Sequence, residues 1–107
     1  MTISETAPAQ ADLDHLMTQG LNAYQKRDYL KALKKFEKCL RIGGEDIPVR
    51  EAAAYTANRA QAWGVAAKHW LEVSKVNPRR PGPMQQHVTA LMRANDLKAA
   101  EAYCLSN

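Results

Sequence analysis

Residues of matching type recur along this 107-residue chain at a step of 34, and that spacing constrains the fold more than any other feature. The small residues Ala32, Ala66 and Ala100 share one column. Three positions earlier stand Tyr29, Trp63 and Leu97; four positions later stand Phe36, Trp70 and Cys104. Gly20, Ala54 and Val88 form another column, Ala23, Ala57 and Leu91 a third, and Gly44 and Pro78 mark equivalent exits. A fixed step of this size marks a repeat architecture. Each unit has an apolar face too large to bury alone and must stack it on a neighbour.

The unit is a pair of helices. Leu13, Leu16, Met17, Gly20, Leu21 and Tyr24 fall on one face of a helix. Asp28 is a good N-cap for the next segment. There Tyr29, Ala32, Leu33, Phe36 and Leu40 make an apolar stripe with Cys39 beside it, while Lys31, Lys34, Lys35, Lys38 and Arg41 fill the other side. Gly43-Gly44 ends it. A third, alanine-rich helix starts after Asp46 with Pro48 in its first turn, where a missing N–H costs little. The fourth carries Trp63, Ala66, Ala67, Trp70 and Val73 and stops before Pro78. Pro81-Gly82-Pro83 reads as a rigid break. Met84, His87, Val88, Leu91 and Met92 follow at helical spacing, and Asn95-Asp96 reads as a turn and N-cap before a sixth helix through Leu97, Ala100, Tyr103 and Cys104. No alternation of strand type and no hairpin signal is present. Residues 1–11 lack apolar periodicity and read as a flexible leader.

The period and its columns resemble the tetratricopeptide repeat (TPR). GLNAYQKRDYLKALKKFEKCLRI carries the Gly-x-x-Ala-Tyr start, the Asp-Tyr turn, then Ala32, Phe36 and the small Cys39. The second copy keeps Ala66, Trp70 and a closing Asn-Pro, with Gln61-Ala62 where Gly-Asp is usual. The third keeps Asn-Asp-Leu and Ala100 and breaks off inside its second helix. The resemblance implies an all-α fold: a right-handed superhelical array of antiparallel helix pairs, six helices over residues 12–107, with repeats at about 13–46, 47–80 and 81–107. With only about nine residues in its last helix, the array lacks a polar cap, which points to a longer native chain or to docking on another copy.

Catalytic chemistry finds no constellation to rest on. His15, His69 and His87 are not paired with cysteines or acids at zinc spacing. Cys39 and Cys104 fall in packing columns and read as small hydrophobes, and two cysteines make no disulfide framework. No phosphate loop, serine elbow or paired-carboxylate site is present, so no enzyme, cofactor or metal is expected. The longest apolar stretch, near Ala60–Ala67, falls far short of the roughly 18–20 residues of a membrane span. With no signal peptide visible, a cytoplasmic location is expected.

The resemblance implies a non-catalytic scaffold that takes a partner protein or peptide in a concave groove lined by the first helix of each pair. The implied lining is Met17, Leu21, Tyr24 and Gln25, then Glu51, Tyr55, Asn58 and Arg59, then Gln85, Thr89, Met92 and Arg93. Tyr24 and Tyr55 are candidate anchors, Arg59 and Arg93 candidate carboxylate binders. The family's clamp for the carboxylate tails of chaperones needs Lys and Asn on the first helix; Met17 and Leu21 stand there instead. Residues 21–44 carry a charge of +5, concentrated in the Lys31–Arg41 stripe on the convex side. That stripe lacks interleaved exposed aromatics, which argues against a single-strand nucleic-acid platform. Two alternatives accompany the scaffold reading. One is an accessory module of a larger bacterial enzyme, since AWGVAAKHWLEVSKVNP and RANDLKAAEAY look similar to repeats on glycosyltransferases of polysaccharide assembly. The other is a homo-oligomer formed through the uncapped C-terminal helix pair.

Overall fold

The computed structural model describes the backbone of residues 3–106 and the side chains of residues 11–98. Five helices follow one another: α1 (Ile3–Gln25), α2 (Tyr29–Gly43), α3 (Ile47–Arg59), α4 (Trp63–Val76) and α5 (Pro81–Ser106). Each packs mainly on its neighbour in sequence, and the molecule is elongated, 65 × 32 × 21 Å. The described residues contain no strand, and no helix among them is long and apolar enough to cross a membrane.

The first two helix pairs are built alike, down to their turns. In the first, Lys26 N–H donates to Asn22 O, Arg27 to Tyr24 O, Asp28 to Ala23 O and Ala32 to Asp28 O. In the second, Ala60 donates to Thr56 O, Gln61 to Asn58 O, Ala62 to Ala57 O and Ala66 to Ala62 O. Every donor and acceptor is displaced by 34. Each turn also holds one residue in the left-handed region, Arg27 (φ 63°) and Gln61 (φ 58°), again 34 apart. The columns bury accordingly: Ala32 and Ala66 are sealed, and Phe36 and Trp70 fill the seam beside them. Close approach is obligatory at Gly20, where an added Cβ would lie 2.7 Å from Phe36 Cε1. The core runs on through Ala53, Ala54 and Ala57 of α3 to Ala67, Val73 and Ala90.

Caps follow local chemistry. Asp46 accepts from Val49 N–H at 3.2 Å and Asp28 from Lys31 N–H at 3.4 Å. Gly44, at φ 80°, closes α2 with its N–H on Leu40 O. Ala62, which stands where the first pair has Asp28, offers α4 no side-chain cap.

Two expectations need correction. First, Asn95-Asp96 does not break the chain: α5 continues through it, giving five helices where six were expected. Neither residue is Gly or Pro, their cost inside a helix is about 0.7 kcal/mol each, and LKAAEA beyond them is strongly helix-forming. Second, Pro81-Gly82-Pro83 is the first turn of α5 rather than a break, because first-turn N–H groups have no helical partner to lose. The backbone of α1 begins at Ile3 and carries Pro8 within it. The third copy departs in packing too. Pro83 and Ala90 are buried and His87 half-buried, whereas Met84, Val88, Leu91 and Met92 are exposed. The side chains at Ala100, Tyr103 and Cys104 lie outside the described residues.

Candidate functional site

Twelve groove residues were expected from the first helix of each pair. Leu21, Gln25, Tyr55, Arg59, Gln85, Thr89, Met92 and Arg93 are exposed; Met17, Tyr24, Glu51 and Asn58 are half-buried. Met17 and Tyr24 pack against the core. Tyr24 meets Tyr29 edge-on, ring centroids 5.2 Å apart. Tyr55 meets the buried Trp70 edge-on at 4.8 Å, so its ring is held while half its surface stays open. A tyrosine fixed in this way loses little entropy when a partner covers it.

Contacts join the second and third sets. Asn58 Nδ2 donates to Gln86 Oε1 at 3.3 Å, and Arg80 reaches Glu51 Oε1 at 2.5 Å, both tying α3 to the chain entering or opening α5. The Arg93 guanidinium lies 4.8 Å from the ring centroid of Trp63. Arg59, one helical turn after Tyr55 on α3, and Arg93 on α5 are both exposed. Glu51 is already engaged by Arg80, which reduces its freedom to meet a ligand.

A second constellation was not legible in the sequence. Glu45 takes a forked hydrogen bond from Arg50, with Oε1 2.6 Å from Nη2 and Oε2 2.9 Å from Nε. Arg50 Nη1 lies 3.0 Å from His69 Nδ1, and His69 Nε2 lies 2.9 Å from Glu37 Oε2. A guanidinium only donates, so His69 Nδ1 accepts and Nε2–H donates to Glu37. The chain of contacts joins α2, the α2–α3 connection, α3 and α4. The Arg50 hydrogen bond holds the Glu45 carboxyl below the usual carboxylate range, against a smaller opposing effect of burial. No sequence spacing links residues 37 and 69; only the folded stack of helices does.

The remaining chemistry is modest. Burial, aided by Asp46, pushes the Cys39 thiol up, away from nucleophilic use. Thr56 and Ser74 hydroxyls donate to carbonyls of their own helices. His87 Nδ1 donates to Ala67 O at 2.6 Å. Among the described residues no group of three or more His, Cys, Asp and Glu is placed to hold a metal ion. A cleft of ≈ 450 Å³ between α1 and α2 is lined by Gln19, Asn22, Lys26, Lys31 and Lys35, and one of ≈ 490 Å³ by Glu37, Arg50, Val65, Lys68 and Glu72. Neither contains any of the twelve groove residues.

No protein-family model, curated protein or solved structure matches the chain.

Proposed function

We propose that this chain is a non-catalytic protein–protein interaction scaffold of TPR type, binding a partner peptide or protein through the surface formed by the first helix of each pair. The carrying observation is the displacement of every turn hydrogen bond by 34 residues between the first two pairs. It supports a stacked array, and such arrays present an extended surface rather than an enclosed pocket. Tyr55, held edge-on by Trp70, supplies the anchor. Arg59 and Arg93 supply donors suited to carboxylates and peptide carbonyls of the partner.

Affinity capture with three forms of the chain tests the proposal. The unaltered chain and a Lys34→Glu, Lys38→Glu variant on the opposite stripe should retain the same partner. Arg59→Glu combined with Tyr55→Ala should weaken it at least tenfold while helix content by circular dichroism stays unchanged. Equal capture by all three forms would refute the groove.

A further inference from the structure

On its outward face α2 gathers cations with no acid among them. Leu30 and Ile42 bound an arc of about 120° around this helix and stand ~18 Å apart along its axis. The residues of α2 inside the arc are Arg41, Lys34, Lys38 and Lys31. All six side chains are exposed, Leu30 at 61% and Ile42 at 47%. Among the described residues none of the four cations forms an ion pair. The acids nearest in sequence are already held. Asp28 caps Lys31 N–H, Glu37 accepts from His69, Glu45 takes the Arg50 fork and Asp46 caps Val49 N–H. The charge of the arc is therefore uncompensated within the chain. A hollow of ≈ 380 Å³ opens among the same lysines, with Glu37 at its edge.

Charge complementarity calls for an anionic occupant, and the two aliphatic residues select its kind. The backbone of a nucleic-acid duplex would satisfy the cations but gain little from Leu30 and Ile42. An anionic bilayer offers both contacts: phosphates at the level of the ammonium groups, and hydrocarbon just beneath for aliphatic side chains. Lysine suits such a surface. Its charge rides on a flexible stem and needs no fixed fork geometry, so it can follow headgroups that move. The mixture continues on α4, which the Glu37–His69 contact holds beside α2. Val65, Lys68 and Val76, 34 residues after Lys31, Lys34 and Ile42, are exposed as well. Lys75, the counterpart of Arg41, is instead taken by Glu72 at 3.1 Å. We propose that the outward face of α2 docks on an anionic phospholipid surface. Leu30 and Ile42 enter the boundary between headgroups and acyl chains, while Lys31, Lys34, Lys38 and Arg41 meet the phosphates. None of the twelve groove residues lies on α2, and the proposal does not depend on the groove.

Co-sedimentation of the full chain with vesicles tests it, using phosphatidylcholine alone and phosphatidylcholine mixed with phosphatidylglycerol. The chain should bind the mixed vesicles roughly a hundredfold or more tightly than the neutral ones, and binding should weaken as salt rises. Lys34→Glu with Lys38→Glu should lower that affinity by roughly a hundredfold or more. Leu30→Ser with Ile42→Ser, at unchanged charge, should lower it by roughly tenfold. Both variants should keep the helix content of the parent by circular dichroism. Tyr55→Ala, which alters the groove, should bind vesicles as the parent does. Equal retention on neutral vesicles, or none on mixed ones, overturns the proposal. Full binding by the Leu30→Ser, Ile42→Ser variant overturns it too, because the lysines then act without hydrocarbon contact. So does tighter binding to double-stranded DNA or polyglutamate than to the mixed vesicles at the same salt, which assigns the arc to a soluble polyanion.

Discussion

Two glycines separate packing from propensity at the residue scale. Gly20 sits where an added Cβ would meet the Phe36 ring, whereas Gly64 in the first turn of α4 has nothing within 4 Å and an ordinary φ. Gly20→Ala should therefore destabilise the first pair by about 1–3 kcal/mol through overpacking. Gly64→Ala should stabilise by about 0.4–1 kcal/mol, by lowering the entropy of the unfolded chain. Urea unfolding of both variants checks the sign as well as the size. Glu45 adds a pH-dependent case. Its carboxyl is held low in the folded state by Arg50, so the stability it contributes is fully present above the ordinary carboxylate range and is lost as pH falls through the lowered native value. Arg50→Met should raise the Glu45 titration midpoint, read by NMR. The stability gap between variant and parent should also narrow as pH falls below the carboxylate range. The columns that place Gly20, Ala32 and Phe36 are legible in the sequence because packing at a fixed step repeats residue size. The Glu37–His69 contact is not, because it spans two pairs at a separation no period supplies.

The boundaries of elements divide into those set by local chemistry and those set by competition. Asp46, Pro48, Gly44 and Pro78 act where they stand, and the helices begin and end beside them. The turn at Gln61-Ala62 survives without the capping aspartate that the first pair has at Asp28. It does so because the buried seam of Ala57, Ala66 and Trp70 offsets a strained residue and a missing cap. Ala62→Asp should restore the cap that Asp28 supplies one repeat earlier and stabilise α4 by about 1 kcal/mol, seen as a raised unfolding midpoint and slower amide exchange in its first turn. Asn95 occupies the third position of that series, 34 residues after Gln61. Asparagine tolerates the left-handed conformation better than Arg or Gln, which makes a turn the natural sequence reading. The helix wins there through Leu97, Lys98, Ala99 and Ala100, whose summed propensity is a property of a window rather than of a dipeptide.

For the whole molecule the order of contacts decides how it comes apart. Helices that pack mainly on their sequence neighbours form a one-dimensional stack, whose stability is close to a sum of pair and interface contributions. The sealed residues concentrate in α2, α3 and α4, where Ala32, Phe36, Ala53, Ala54, Ala57, Ala66 and Trp70 meet. The outer helices each have a neighbour on one side only. Native-state hydrogen exchange should therefore rank amides in the middle turns of α2, α3 and α4 as slowest, requiring global unfolding. Those in α1 ahead of Leu13 and in α5 beyond Asn95 should exchange fastest, through local opening. Equal protection along all five helices would show that the stack unfolds as a single cooperative unit rather than from its ends.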